Sequence, residues 1–212
     1  LSNGANGGAI LEELAEYVAE VDVELARRAL RAIGVVACRA PAEPGPADTS
    51  GGALEKLVEF LELGVDFVVA EALLVLKDVL RVHPHRRAAL LPHLPRCLRA
   101  VDEPAARAAL LFFLGEYGAE VAEAPYLVEP LADGYAEESS GEVKLALLAC
   151  AMKLFFARPP ECHAMLGRLL LAATNDGAHP DVHDRALLYY RLLRADPAAA
   201  QRVVMAGNTL FA

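Results

Sequence analysis

His179 and His183 stand four residues apart, a spacing that puts two imidazoles on one face of a helix, where they could hold a metal ion. His83, His85, Cys162, His163 and Asp184 complete the set of donors a zinc site could draw on. No H-E-x-x-H pattern accompanies them, and a third ligand would have to come from a distant part of the chain. The plainer reading is histidines at helix ends. Carboxylates offer a second chemistry: Glu116, Glu120, Glu123, Glu129, Asp133, Glu137, Glu138 and Glu142 crowd a stretch with no basic residue between Arg107 and Lys144. Acid–base catalysis needs two carboxyls in unlike surroundings, one of them in an apolar pocket. This run reads instead as a solvated acidic face. Serine nucleophiles and phosphate loops are not encoded, since neither G-x-S-x-G nor a glycine followed by Lys-Ser or Lys-Thr occurs. The expectation is a protein that is not an enzyme and carries no cofactor.

A binding role is better supplied. Between Lys77 and Arg99 lie Lys77, Arg81, Arg86, Arg87, Arg96 and Arg99 against the single acid Asp78, with His83, His85 and His93 interspersed. Arg81, Arg86, Arg87 and Arg96 are therefore the candidate docking residues for an acidic partner or an anionic surface. The Asp184-Arg185 pair in VHDRALLYYRLL reads as a half-buried staple between helices, and Tyr189 and Tyr190 as core and groove packing.

The elements that carry these residues follow from composition and spacing. The 212 residues are 55% hydrophobic but only 6% aromatic, and alanine and leucine supply most of the apolar content. Those two residues favour helix. The net charge of −9 repels a phosphate backbone, so nucleic acid is not an expected partner. Cys38, Cys97, Cys150 and Cys162 show no C-x-x-C spacing and read as small buried apolar residues in a reducing compartment. The chain opens at Leu1 without a secretory leader and reads as a segment of a longer protein. Its apolar runs fall well short of the ~20 residues that span a bilayer.

Paired apolar residues recur at Ala29-Leu30, Leu73-Leu74, Leu110-Leu111, Leu147-Leu148 and Leu187-Leu188, with spacings of 44, 37, 37 and 40. Each pair lies in a long apolar helix, over about 22–38, 66–82, 103–117, 141–157 and 180–194. Asp22, Asp66, Asp102, Ser139 and Asp196 stand where caps belong. A shorter, more broken helix precedes each long one: Pro92 and Pro95 interrupt 85–99, and Pro130 and Gly134 interrupt 125–137. A helix pair repeating near 40 residues predicts an all-α fold, an α-solenoid of about five HEAT- or armadillo-like hairpins. One such segment is expected over 1–212, with RAPAEPGPADTSGG at 39–52 as a flexible inserted loop. The run from Ala108 to Leu114 has no polar side chain on any side, so neighbouring helices must cover it all round.

Six strings in collinear order resemble the trunk of beta-adaptins, large subunits of heterotetrameric vesicle adaptor complexes. They are EYVAEVDVELARRALRAIG (16–34), AEALLVLKDVLRVHP (70–84), DEPAARAALLFFLGEYG (102–118), APYLVEPL (124–131), AMKLFFARPPEC (151–162) and VHDRALLYYRLLRADP (182–197). APYLVE, AMKLFF and HDRALLYYRLL are most similar to the beta subunit of adaptor protein complex four. The resemblance covers a later part of the trunk. It implies a scaffolding subunit of a vesicle coat in intracellular protein transport. Its partners would be the amino-terminal domain of the medium subunit, the second large subunit and the small subunit. Its place would be cytoplasmic, peripheral on trans-Golgi network or endosomal membranes. No catalytic or cargo-binding residue is carried over. A helical-repeat scaffold of another pathway would account for the repeat but not for the strings.

Overall fold

A computed structural model describes residues 7–18, 22–39 and 49–206. All of its long elements are helices, as the alanine- and leucine-rich composition requires. The order is α1 (Gly7–Val18), α2 (Val23–Arg39), α3 (Thr49–Glu62), α4 (Asp66–Val82), two 3₁₀ turns (Pro84–Ala89 and Leu91–His93), α5 (Leu94–Ala100), α6 (Pro104–Tyr117), α7 (Ala124–Asp133), α8 (Gly141–Ala157), α9 (Pro159–Thr174), α10 (Pro180–Ala195) and α11 (Pro197–Met205). The five long helices start and stop within one or two residues of their predicted bounds. None of the described helices is long and apolar enough to cross a membrane.

The caps explain the boundaries. Asp22 accepts from the amides of Glu24 (2.9 Å) and Leu25 (3.3 Å), and Asp196 accepts from Ala198 (2.9 Å) ahead of Pro197. At α8 the cap is Ser140 rather than Ser139: its hydroxyl accepts from the Val143 amide, and Glu138 takes up the Ser140 amide at 2.8 Å. Asp66 opens α4 as its first residue, with Val65 as the cap. With the shorter helices taken as a first row and the long apolar ones as a second, the broken first-row helix of 85–99 is realised as the two 3₁₀ turns and the short α5, as Pro92 and Pro95 dictate. Pro130, by contrast, is accommodated inside α7. The carbonyl that its missing N–H leaves unmatched belongs to Tyr126, on an exposed turn where water can bond it. The first row is not uniformly broken either, for α9 runs unbroken through 16 residues. Of the predicted 39–52 loop, Arg39 closes α2 and residues 49–52 open α3, while 40–48 lie outside the described residues.

The helices group into two compact units, Leu1–Ala106 and Arg107–Ala212. Within each unit most helices touch the next helix and the one two places on, and α11 reaches back to α8. In the first unit α1 packs on α2 and α3, α2 on α4, and α3 on α4; in the second α7 packs on α8 and α9, and α8 on α9 and α10. That neighbour rule defines the stacked hairpins of HEAT- and armadillo-type solenoids. It also explains why the second-row helices are greasy all round. α4 buries Val68, Val69, Leu73, Val75, Leu76, Val79 and Leu80, and α8 buries Val143, Leu147, Leu148, Cys150, Met152 and Leu154. In the Ala108–Leu114 run every residue but Phe112 is buried.

Glycine lets adjacent second-row helices approach closely. A Cβ on Gly115 would lie 3.1 Å from the Cys150 backbone of α8, and a Cβ on Gly34 of α2 would strike the Val75 side chain of α4. Leu111 lies in this packing at 1% exposure. Leu111→Ala is expected to lower unfolding free energy by about 2–5 kcal/mol in a denaturant melt, through lost burial and a residual cavity. A change near zero would mean that the α6 run is not enclosed.

Candidate partner-docking surface

Polar side chains, both buried and exposed, pair with groups on the adjoining hairpin. In the first unit Glu71 of α4, 2% exposed, accepts from Arg31 (2.6 Å) and Arg27 (3.0 Å) of α2, and Arg27 also reaches Glu103 at 3.3 Å. His83, fully buried at the end of α4, meets the Ala37 carbonyl of α2 at 3.0 Å. A carbonyl only accepts, so Nε2 carries the proton. In the second unit Lys153 of α8 pairs with Glu116 of α6, and Arg168 of α9 reaches Glu129 (3.0 Å) and Asp133 (2.9 Å) of α7.

The most enclosed cluster surrounds Asp176, in the turn between α9 and α10. Its Oδ2 accepts from the Tyr135 hydroxyl at 2.7 Å and from the Lys144 ammonium at 2.9 Å. Its Oδ1 accepts from the amides of Ala178 (2.9 Å) and His179 (3.2 Å). Lys144 also lies 4.5 Å from the centre of the Tyr135 ring. The Lys144 bond, then that from Tyr135, holds the Asp176 carboxyl well below the usual carboxylate range. Burial, and then the Asp176 carboxylate, pushes the Tyr135 hydroxyl up. This cluster ties the α7–α8 loop and the first turn of α8 to the next interhelical loop. It is structural: its donors and acceptors are satisfied by one another.

These contacts revise the reading of the acidic run. Glu116, Glu129, Asp133 and Glu138 are ion-pair partners rather than a free acidic face; Glu138 holds Arg107 at 2.7 Å. The metal candidates scatter. His83 is committed to Ala37, Cys162 is buried, His163 and His85 are exposed, and the His179 ring packs over Gly141 with Nδ1 3.3 Å from Asp176. Among the described residues no three His, Cys, Asp or Glu side chains converge as metal ligands. Cys97 and Cys150 are buried free thiols, and burial pushes the Cys97 thiol up to about 11. Asp184 and Arg185 are both exposed and form no staple; Arg185 lies 5.8 Å over the Tyr189 ring instead. Tyr189 is buried and Tyr190 lines a groove.

The basic residues spread over three elements of the first unit. Arg81 is exposed near the end of α4, Arg86 and Arg87 are half-buried in the first 3₁₀ turn, and Arg96 is exposed on α5. Arg87 donates to the Pro84 carbonyl at 3.1 Å, and Arg81 and Arg86 also hold contacts within the chain. The clearer open surface belongs to the second unit. Gly167, Leu170, Leu171, Thr174, Leu187 and Tyr190 line an apolar groove of ≈ 530 Å³ between α9 and α10. A smaller, more polar hollow on the α8–α10 side is lined by Leu145, Asp181, Asp184, Arg185 and Leu188.

Stacked helical hairpins joined by ion pairs, with grooves open between neighbouring helices, define a helical-repeat fold of the α-solenoid type. Residues 1–197 match the family model of the adaptin N-terminal region, and the chain belongs to that family. It is similar to beta-adaptin-like protein A of Arabidopsis thaliana, 41% identical over 96% of this chain and 23% of that protein. It is 37% identical to AP-1 complex subunit beta-1 of Rattus norvegicus, over 100% of this chain and 22% of the relative. With AP-2 complex subunit beta of Schizosaccharomyces pombe it shares 32% identity over 93% of this chain and 28% of that one. The chain spans about a quarter of the length of these relatives. A crystal structure of an engineered protein shares the fold, with a TM-score of 0.61 and 16% identity over 93% of this chain and 95% of that one.

Removing Asp176 would leave the Lys144 charge buried without its counter-ion. Asp176→Ala is expected to cost about 3–5 kcal/mol, whereas Arg168→Ala, at an exposed pair, should cost far less. Because the Asp176 carboxyl titrates lower folded than unfolded, its contribution is complete above about pH 4 and is lost as pH falls below that. Urea melts across this range, on wild type and Asp176→Asn, check both statements; equal costs for the two alanine variants would refute the assignment.

Proposed function

We propose that this chain is a stretch of the scaffolding trunk of a heterotetrameric vesicle adaptor complex. It acts by holding other subunits in place, not by catalysis. The observation that carries this reading is the adaptin match over residues 1–197 together with similarity along the chain to proteins named as beta subunits of AP-1 and AP-2 complexes. The architecture suits a scaffold, because ion pairs between successive hairpins stiffen a stack whose outer surfaces stay free for partners.

In this reading the partners are the amino-terminal domain of the medium subunit, the second large subunit and the small subunit. The complex sorts transmembrane cargo at trans-Golgi network or endosomal membranes, and the chain reaches the membrane only as part of it. The strings APYLVE, AMKLFF and HDRALLYYRLL support the beta subunit of adaptor protein complex four as the type. The two units are taken as one continuous trunk segment.

The full-length chain, co-expressed with the medium, small and second large subunits of each adaptor type in parallel, should co-elute as a four-subunit complex. The subunits of complex four should give the highest yield. Recovery only as a lone monomer with every set would overturn the adaptor reading, and equal or better assembly with another set would overturn the type.

A further inference from the structure

The groove between α9 and α10 is built from two facing stripes. On α9 the lining residues Gly167, Leu170, Leu171 and Thr174 fall at i, i+3, i+4 and i+7; on α10 the lining residues are Leu187 and Tyr190, and Arg191 and Arg194 continue the same stripe beyond the lining, at i+4 and i+7 from Leu187. Leu170 is buried and forms floor, while Leu171 is 68% and Tyr190 44% exposed. At Gly167 a Cβ would meet nothing within 4 Å, so the missing side chain opens the groove rather than permitting helix contact. Thr174 gives its hydroxyl to the Leu170 carbonyl of its own helix at 2.9 Å, which commits the one hydroxyl on the α9 wall. The volume of ≈ 530 Å³ is within the range of binding clefts, roughly 300–1,000 Å³.

Charge says what the groove accepts. Arg191 and Arg194 are both exposed, and neither has a carboxylate partner among the described residues. Arg194 stacks over the Tyr190 ring at 5.6 Å and reaches its hydroxyl at 3.4 Å, which carries the cationic rim to the edge of the apolar wall. Arg191 and Arg194 thus set two cationic groups on α10 beside the groove residue Tyr190, in a chain of net charge −9.

We propose that the α9–α10 groove docks an amphipathic helical segment of a partner protein that presents a leucine-type stripe to Leu171, Leu187 and Tyr190 and acidic side chains to Arg191 and Arg194. This is the helix-in-groove mode of recognition, with the apolar stripe giving affinity and the rim giving orientation. It does not depend on which adaptor complex the chain joins.

The test uses the full-length chain and a fluorescein-labelled helical peptide with leucine at i, i+3, i+4 and i+7 and glutamate and alanine elsewhere. A control peptide replaces glutamate by lysine. Anisotropy titration should show saturable binding of the acidic peptide and at least tenfold weaker binding of the basic one. Gly167→Leu fills the groove at an exposed helical position; it should weaken binding at least tenfold while leaving the melting temperature unchanged or raised. Arg191→Glu with Arg194→Glu should weaken the acidic peptide severalfold and restore the basic one. Equal binding of the two peptides, or no response to Gly167→Leu, would overturn the proposal. So would a lowered melting temperature for Gly167→Leu, which would mean that the chain's own later residues already fill the groove.

Discussion

A helix that is apolar on every side can exist in water only if other helices surround it, and a charge on such a helix can exist only if those helices answer it. Both requirements are met here by residues about one repeat away. Arg31 and Glu71 are 40 positions apart, Glu116 and Lys153 are 37, Glu129 and Arg168 are 39, and Tyr135 and Asp176 are 41. The same interval separates the apolar pairs in the sequence. One period thus governs both burial and charge compensation, because the unit that repeats is also the unit that covers its neighbour. Isolated, a hairpin would expose the greasy faces of α4 or α8 and strand Glu71 or Lys144 in a site built for their partners.

This period is why so much of the fold was legible. Alanine- and leucine-rich runs between capping residues place α2, α4, α6, α8 and α10 closely, since helix boundaries depend on local chemistry such as that of Asp22 and Asp196. The first row is harder to read. Proline ends one helix at 84–93 yet is tolerated in α7 at Pro130, and residue type alone does not separate the two cases. The Ser140 cap was missed by one residue because Ser139 and Ser140 both fit the pattern and only the backbone geometry separates them.

The charged residues show where sequence reading stops. A run of acids without nearby bases looks like a wet face, yet Glu116, Glu129 and Asp133 find bases a full repeat downstream. The telling signal is a lone charge within an apolar helix, Glu71 in VVAEALLVL or Lys144 in EVKLALLAC, which demands a counter-charge from a neighbouring element, 40 residues away for Glu71 and 32 for Lys144. Arg81, Arg86, Arg87 and Arg96 showed a charge cluster in one dimension that distributes over three elements in space. The groove between α9 and α10 left no sequence motif, because it is made by what Gly167 lacks.

The central claim is that neighbouring hairpins are held as one cooperative body by contacts one repeat apart. Native-state hydrogen exchange on the full chain across a series of low denaturant concentrations tests it most directly. The account predicts that the slowest amides of α8, α9 and α10 share one opening free energy and one denaturant dependence. Separate opening of the α7–α8 and α9–α10 hairpins, each with its own free energy and slope, would contradict it.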